Sequence, residues 1–307
     1  MTSKGKKGFL FDLFFITLKM FIFSIKTKAC VGYYDWNISY ERVFEYAETY
    51  KLIRREKPST FLDVGGDISI FGPFVADSVG CQVGIVDMGD MQFSEKLLNN
   101  LSPDTKKCIS LFPRTKAENI SNKKYDFISC ISTIEHFDTE GDLLFMKNVS
   151  SILNENGLLV ITAPFTLKAE TIYEYREMTY YQVHGIQQFD KGFYLKKYCL
   201  LDIQKLAEQS GLHIEKLIFA GEVINFYDPI FLYQPNMTKS GNLIIFSRAK
   251  IVLGRILLIS IKLLSPFYPF LFMRKSESIS DFLIESKRKK ILCPDVFLLA
   301  LRKKSKN

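Results

Sequence analysis

The chain has 307 residues and a formal net charge of +8; 47% of its residues are hydrophobic and 24% are charged. This composition supports a packed core and excludes a globally disordered chain. The six cysteines form no CxxC pair or Cys/His cluster, which argues against a disulfide scaffold or a zinc site. The charge is uneven, because residues 1–28 carry +5 and residues 248–307 carry +10, which leaves −7 for the region between them.

The first basic end, residues 1–28, predicts an amphipathic segment that associates with a membrane. Asp12, Lys19 and Lys26 are seven residues apart within an apolar run, so they share one stripe of a helix. The run is shorter than a spanning helix requires, and it contains charged residues. It also lacks the following cleavage site of small residues that a signal peptide requires. We expect a helix lying in an anionic membrane interface. A helix packed onto the protein's own core is the alternative.

The second basic end, residues 251–307, predicts a membrane-associating tail. Arg248, Arg255 and Lys262 are again seven residues apart, and aliphatic runs separate them. Basic residues that flank aliphatic runs favour an anionic membrane surface over nucleic acid, whose binding surfaces mix basic with polar residues. A spanning hairpin over 251–273 is the alternative, and its two basic side chains would make it costly.

Between the ends, segments with the pattern of strands alternate with segments with the pattern of helices. In chain order these are a helix at 41–56, strands at 61–66, 81–90 and 125–132, a helix-like stretch to 154, a strand at 157–164, a helix at 200–211, and strands at 212–221 and 242–250. The alternation predicts an α/β fold with a mostly parallel sheet.

Glycine and acidic residues follow the first two predicted strands. Asp63-Val-Gly65-Gly66-Asp67 ends the first, and Asp87 ends the second, 24 residues after Asp63. Ligands of such sheets bind beyond the carboxyl ends of the strands. A glycine-rich turn lets a ligand approach the backbone closely, and an acid about 20 residues later can accept two ribose hydroxyls. The pattern indicates an adenosine-type site.

Five blocks in this order resemble the class I S-adenosylmethionine-dependent methyltransferases, of the type 11-like kind. They are FLDVGGDIS, VGIVDMGD, KYDFISCISTIEHF, LNENGLLVITAPF and FYLKKYCLLDIQKLAEQSGLHIEKLIF, and the resemblance covers about residues 36–250. It implies a methyltransferase domain at 29–250 with a Rossmann-like, mostly parallel seven-stranded sheet flanked by helices. It also implies S-adenosyl-L-methionine as the cofactor. No Asn-Pro-Pro-Tyr-like motif follows the fourth strand, so nucleic acid is not the expected acceptor.

The resemblance also implies which residues bind the cofactor. Asp63 and Gly65 are expected at its methionine part, Asp87 at the ribose, and Met88 at the adenine. The full predicted set is Asp63, Gly65, Gly66, Asp67, Asp87, Met88, Ala117, Glu118 and Ser132.

One departure from the family pattern concerns the glycine loop. Asp67 and Ser69 stand where the family's loop has its second and third glycines. Asp67 could contact the ammonium of the cofactor, or its Cβ could obstruct the loop. A homologue that no longer binds the cofactor is the alternative.

Two histidines are candidate general bases, His184 and His136. An oxygen acceptor gains from a base, and histidine suits that role near neutral pH. In this family the insertion between the fifth and sixth strands usually forms the acceptor pocket, and here it holds four tyrosines, Arg176 and His184. These side chains suit a hydroxylated or sugar-like acceptor, or a lid whose aromatic residues only pack. For His136, a structural role is the alternative.

Together these features predict an enzyme at the cytoplasmic face of a membrane, peripherally associated with it. It would O-methylate a glycan or a lipid-linked intermediate of envelope polysaccharide biosynthesis. A methyltransferase of a quinone or another lipid is one alternative. A non-catalytic methyltransferase-like protein that binds a membrane or a partner is another.

Overall fold

The fold is described from a computed structural model, which covers residues 3–28, 40–116, 123–137, 140–168, 170–175, 193–222, 273–276 and 296–304. The helices are α1 (Ser3–Lys26), α2 (Tyr40–Glu56), α3 (Phe71–Val79), α4 (Gln92–Leu98), α5 (Pro103–Lys107), α6 (Gly141–Ile152) and α7 (Leu200–Ser210). The strands are β1 (Thr60–Val64), β2 (Gln82–Val86), β3 (Ile109–Phe112), β4 (Tyr125–Ile131), β5 (Leu153–Pro164), β6 (Ile172–Tyr175), β7 (Phe193–Lys197), β8 (His213–Glu222), β9 (Met273–Ser276) and β10 (Val296–Arg302). A 3-10 turn, Ile134–His136, follows β4.

One sheet organises the described part of the chain, with strand order β3-β2-β1-β4-β5-β10-β8-β9. The strands β1 to β5 are parallel, and β10 is antiparallel to both of its neighbours, so β8 runs in the same direction as β5. The predicted Rossmann-like, mostly parallel seven-stranded sheet is thereby confirmed. The four-residue strand β9 pairs antiparallel with β8 as an added edge. The carboxyl ends of the parallel strands meet at one edge, where the functional residues were predicted.

Helices cover both faces of the sheet because successive strand residues point to opposite sides. On one face Phe61 and Phe127 pack in a cluster with residues of α1, α2 and α3. On the other, Ile128 and Phe297 pack with residues of α6 and α7. The strands are apolar on both faces, as strands buried between two layers of helices must be.

The strand β10 corrects the predicted end of the domain. The predicted methyltransferase domain stopped at residue 250, and residues 251–307 were assigned to a membrane-associating tail. Instead, β10 lies between β5 and β8, where Leu298 is paired with Thr162 on one side and Ile218 on the other. Its leucines are completely buried. The domain therefore includes at least part of that tail, while the predicted strand at 242–250 lies outside the described residues.

The helix α1 has one face in the core and one face outside it. Ile16, Met20 and Phe23 are buried, and the ring of Phe23 lies 5.6 Å from that of Phe74 in an edge contact. Packing onto the protein's own core, the alternative for this segment, is therefore correct for one side of the helix. None of the helices in the described ranges is long and apolar enough to cross a bilayer.

Candidate functional site

Asp63 lies near the carboxyl end of β1 and is 3% exposed. The hydroxyl of Ser129 donates to its Oδ1 at 2.6 Å. No donor among the described residues meets hydrogen-bond geometry with its Oδ2. Burial raises the pKa of Asp63 to about 7, and the Ser129 hydrogen bond only partly offsets this. A cation brought next to Oδ2 would stabilise the carboxylate and lower that pKa.

The two glycines after β1 bring the loop close to its neighbours. Gly65 has φ +75°, and a Cβ there would lie 2.2 Å from the side chain of Thr133. At Gly66, a Cβ would lie 2.8 Å from Oδ2 of Asp63. A side chain at either position would therefore collide with the site, which explains why the loop keeps these two glycines.

Asp87, at the end of β2, holds the backbone of two loops. Its Oδ1 accepts from the amide of Gly89 at 2.7 Å, and its Oδ2 accepts from the amide of Asp67 at 3.3 Å. A carboxylate has about four acceptor positions, so this side chain is held in place and keeps capacity for further donors. Met88 beside it is half-buried.

The two residues that replace family glycines both take part in hydrogen bonds. Oδ1 of Asp67 accepts from the amide of Ser94 at 3.1 Å, and the Asp67 carbonyl accepts from the Ser94 hydroxyl at 3.1 Å. The hydroxyl of Ser69 accepts from the amide of Phe71 at 3.0 Å and lies 3.1 Å from the hydroxyl of Tyr46. Asp67 thus ties the loop to α4, and Ser69 ties it to α2 and α3.

A buried carboxylate of α2, Glu45, joins the ends of β4 and β5. Ser132 and Thr162 donate their hydroxyls to Oε1 of Glu45 at 2.6 and 2.8 Å, and Arg42 donates to its Oε2 at 3.0 Å. Ser132, one of the predicted cofactor residues, has a positive φ of 41°. The sequence pattern of α2 indicated an amphipathic helix and not this contact. The sequence did hold a signal for this contact, namely a carboxylate on an apolar side of the helix. Glu45 lies seven residues before Leu52, which is buried, so the two side chains share one side of α2.

A family model described as a methyltransferase domain matches residues 40–232, which is more than half of the chain. The chain belongs to this family. It is accordingly an S-adenosylmethionine-dependent methyltransferase. No curated protein matches its sequence.

Several solved methyltransferases resemble this chain at low identity. The glycopeptide N-methyltransferase MtfA complexed with sinefungin is 14% identical, with a TM-score of 0.36 over 44% of this chain and 61% of that chain. A putative sarcosine dimethylglycine methyltransferase from Galdieria sulphuraria is 14% identical, with a TM-score of 0.46 over 84% of each chain. TehB from Haemophilus influenzae is 13% identical, with a TM-score of 0.44 over 84% of this chain and 62% of that chain.

The described residues of the methyltransferase fit S-adenosylmethionine. Asp63 supplies a buried carboxylate whose Oδ2 meets no donor of the described residues within hydrogen-bond geometry, although the nearby backbone amide of Gly72 helps to lower its pKa, and such an oxygen suits a cationic group. Gly65 and Gly66 let the loop pack directly against Thr133 and Asp63, which shapes the backbone around that carboxylate. Asp87 supplies a fixed carboxylate for paired hydroxyls. Ala117 and Glu118, expected at the adenine, lie outside the described residues.

The 3-10 turn after β4 places a buried acid beside a candidate general base. Glu135 is buried, its Oε2 has no hydrogen-bond partner in the described ranges, and burial raises its pKa to about 8. The neighbouring His136 has a side chain 14% exposed, with Nε2 4.0 Å from Oε1 of Glu135. His136 is therefore close to the strand ends, whereas His184 lies outside the described residues. Within the described ranges, no group of three His, Cys, Asp or Glu residues could hold a metal ion.

The insertion predicted to hold the acceptor is anchored at both of its ends. It leaves through β6 and returns through β7, which pair antiparallel. Lys196 of β7 forms a buried ion pair with Asp142 of α6 at 2.6 Å, and the hydroxyl of Tyr198 donates to the same carboxylate at 3.0 Å. Tyr173 of β6 is 49% exposed. The ribbon β6–β7 thus holds the start and end of the insertion in place, although residues 176–192 between them lie outside the described residues.

Proposed function

We propose that the methyltransferase O-methylates a glycan or lipid-linked intermediate of envelope polysaccharide biosynthesis at the membrane surface. The observation that carries this proposal is the anchored ribbon β6–β7, which follows β5 in the chain and carries an exposed tyrosine, Tyr173. Aromatic side chains with polar tips suit a sugar-like acceptor. The apolar outer side of α1 supports the membrane setting.

S-adenosylmethionine, when bound, supplies an electrophilic methyl group on a sulfonium centre. The protein's part is to hold that group and the acceptor in line, which can provide much of the rate enhancement. Asp63, Gly65 and Asp87 are the proposed holding residues, and Ser132, which follows β4, is proposed to lie under the cofactor. His184 and His136 are the proposed bases that take the proton of the acceptor hydroxyl.

The proposal is tested by following a labelled methyl group from S-adenosylmethionine into a membrane extract and into purified polysaccharide. We expect the label in a sugar methyl ether, and we expect its formation to fall in His184→Ala or His136→Ala by the ~10²–10⁴-fold typical of a lost general base. His213→Ala is the matched control, because His213 begins β8 at the opposite edge of the sheet.

Two outcomes would replace this proposal by the alternatives. Label recovered in a quinone or another lipid would identify a lipid methyltransferase. Cofactor binding without transfer to any fraction would indicate a non-catalytic protein. Full activity in both histidine variants would remove the general-base assignment.

A further inference from the structure

The side of α1 that faces away from the core is apolar and basic. Phe15, Ile22 and Ile25 are 42%, 44% and 50% exposed, and Lys19 and Lys26 are exposed between and beside them. At 100° per residue these five side chains lie within about a third of the helix circumference, opposite the buried face. We call these five residues the outer face of α1.

A cavity of about 250 Å³ opens beside the outer face, between α1 and α2. Its lining includes four basic side chains, from Lys19, Lys51, Arg54 and Arg55, and a single acid, Asp12.

Two of these basic side chains already have acidic partners. Lys51 bonds to Glu48 at 3.0 Å, and Arg55 pairs with Glu56 and Glu215. By contrast, no acid among the described residues pairs with Lys19 or Arg54. The cavity therefore has two cations available for an anion.

We propose that the outer face of α1 and this cavity bind an anionic phospholipid bilayer. A headgroup phosphate would lie between Lys19 and Arg54, and Phe15, Ile22 and Ile25 would enter the boundary of the acyl chains. The inference names the lipid surface that the proposed function requires. Its biological purpose rests on that proposed function. It does not depend on which acceptor is methylated.

Charge complementarity favours a bilayer over a second copy of the chain. A two-fold dimer that crosses at Lys19 would bring this lysine against its own copy, while Asp12, on the same stripe, would face Lys26 of the other copy and Arg54 would gain no acid. An anionic bilayer instead neutralises the lysines while it covers the apolar side chains.

The proposed lipid site is separate from the cofactor site. Arg54 follows Arg42, which pairs with Glu45 at the cofactor edge, by 12 residues of α2. At 1.5 Å per residue, the two arginines are about 18 Å apart along the helix axis. Substitutions at the lipid site should therefore leave cofactor binding unchanged.

The test is co-sedimentation of the full chain with vesicles of phosphatidylcholine, with and without phosphatidylglycerol. We expect binding only to the anionic vesicles. Lys19→Gln combined with Arg54→Gln should weaken it about thirty-fold, since each basic residue contributes about 1 kcal/mol near an anionic surface. Ile22→Ser should weaken it several-fold by removing buried apolar area. The matched control is Leu201→Ser, which changes a residue that is 57% exposed on α7, on the other side of the sheet.

Several results would overturn the inference. These are equal binding to neutral vesicles, release of the protein by inorganic phosphate at equal ionic strength, unchanged binding in the variants, or a dimer that Ile22→Ser dissociates. Titration of the same variants with S-adenosylmethionine separates this inference from the proposed function. Absence of vesicle binding by the parent chain with intact methyl transfer contradicts the lipid site alone, whereas absent methyl transfer with intact vesicle binding contradicts the proposed function.

Discussion

The helix α1 and the strand β10 have similar compositions and different positions. Each is rich in large apolar residues and has lysines nearby. The helix lies on the surface, with Met20 buried and Ile22 exposed, whereas the leucines of β10 are all buried between two neighbouring strands. An apolar, basic segment can therefore be a two-faced surface helix or a central strand. A segment of this kind becomes a central strand when neighbouring strands form hydrogen bonds with its backbone and both of its sides are covered.

The largest expected effect comes from removing β10. A chain ending at residue 295 would expose one edge of β5 and one edge of β8, which β10 pairs in the full chain. Their backbone groups and the apolar layers beside them would lose their partners, so we expect loss of cooperative thermal unfolding in circular dichroism. A truncated chain that unfolds cooperatively near the temperature of the full chain would show that β10 is not part of the stable sheet.

A second prediction compares the two faces of α1. Phe23→Ala should lower the free energy of unfolding by about 3–5 kcal/mol, because it leaves a cavity beside Phe74. Ile25→Ala, on the exposed side, should change it by no more than about 0.5 kcal/mol. Denaturant unfolding of the two variants measures both values. Equal effects would mean that α1 is either wholly buried or wholly detached.

The smallest expected effect concerns the end of β10, where Arg302 connects it to the rest of the domain. Arg302 bonds to Glu56 of α2 at 2.9 Å and pairs with Glu215 of β8. Hydrogen bonds from Arg302 and Arg55 hold the pKa of both glutamates below the ordinary value. All three side chains are partly exposed, so Arg302→Gln should cost about 1 kcal/mol or less at neutral pH.

The same interaction predicts a pH dependence. The folded-state pKa values of Glu56 and Glu215 are lowered. Their contribution to stability is therefore complete above the unfolded-state pKa of about 4.3. It is lost as the pH falls through the folded-state pKa values. The difference in unfolding free energy between the parent and Arg302→Gln should therefore shrink in acid. A difference that stays constant from neutral to acidic pH would contradict the ion-pair account.

Four of the five parallel strands, β1, β2, β4 and β5, could be predicted because their signals are local, whereas β3 was not predicted. β1 and β2 are short apolar runs that end in Gly or Asp within a few residues, so the strand and its functional end are visible together. Asp63, Gly65 and Asp87 were predicted as site residues in this way, and the structure brings Asp87 to the backbone of the same loop through Asp67.

The strand β10 and the contact of Glu45 could not be predicted because they depend on distant partners. β10 is a seven-residue apolar run, and periodicity alone cannot distinguish a buried strand from another apolar segment. Glu45 meets hydroxyls that lie 87 and 117 residues later in the chain. Only the strand order of the sheet brings these residues together.

The most direct test of the account is calorimetric titration of the full chain with S-adenosylmethionine, compared with Asp87→Ala. We predict binding by the parent and a loss of ~2–4 kcal/mol in the variant, because charge-assisted hydrogen bonds contribute ~1.5–3 kcal/mol each and do not add fully. Asp90→Ala is the matched control, since it removes an exposed carboxylate that pairs only with Arg114 among the described residues. Failure of the parent to bind, or equal binding by Asp87→Ala, would contradict the assigned cofactor site.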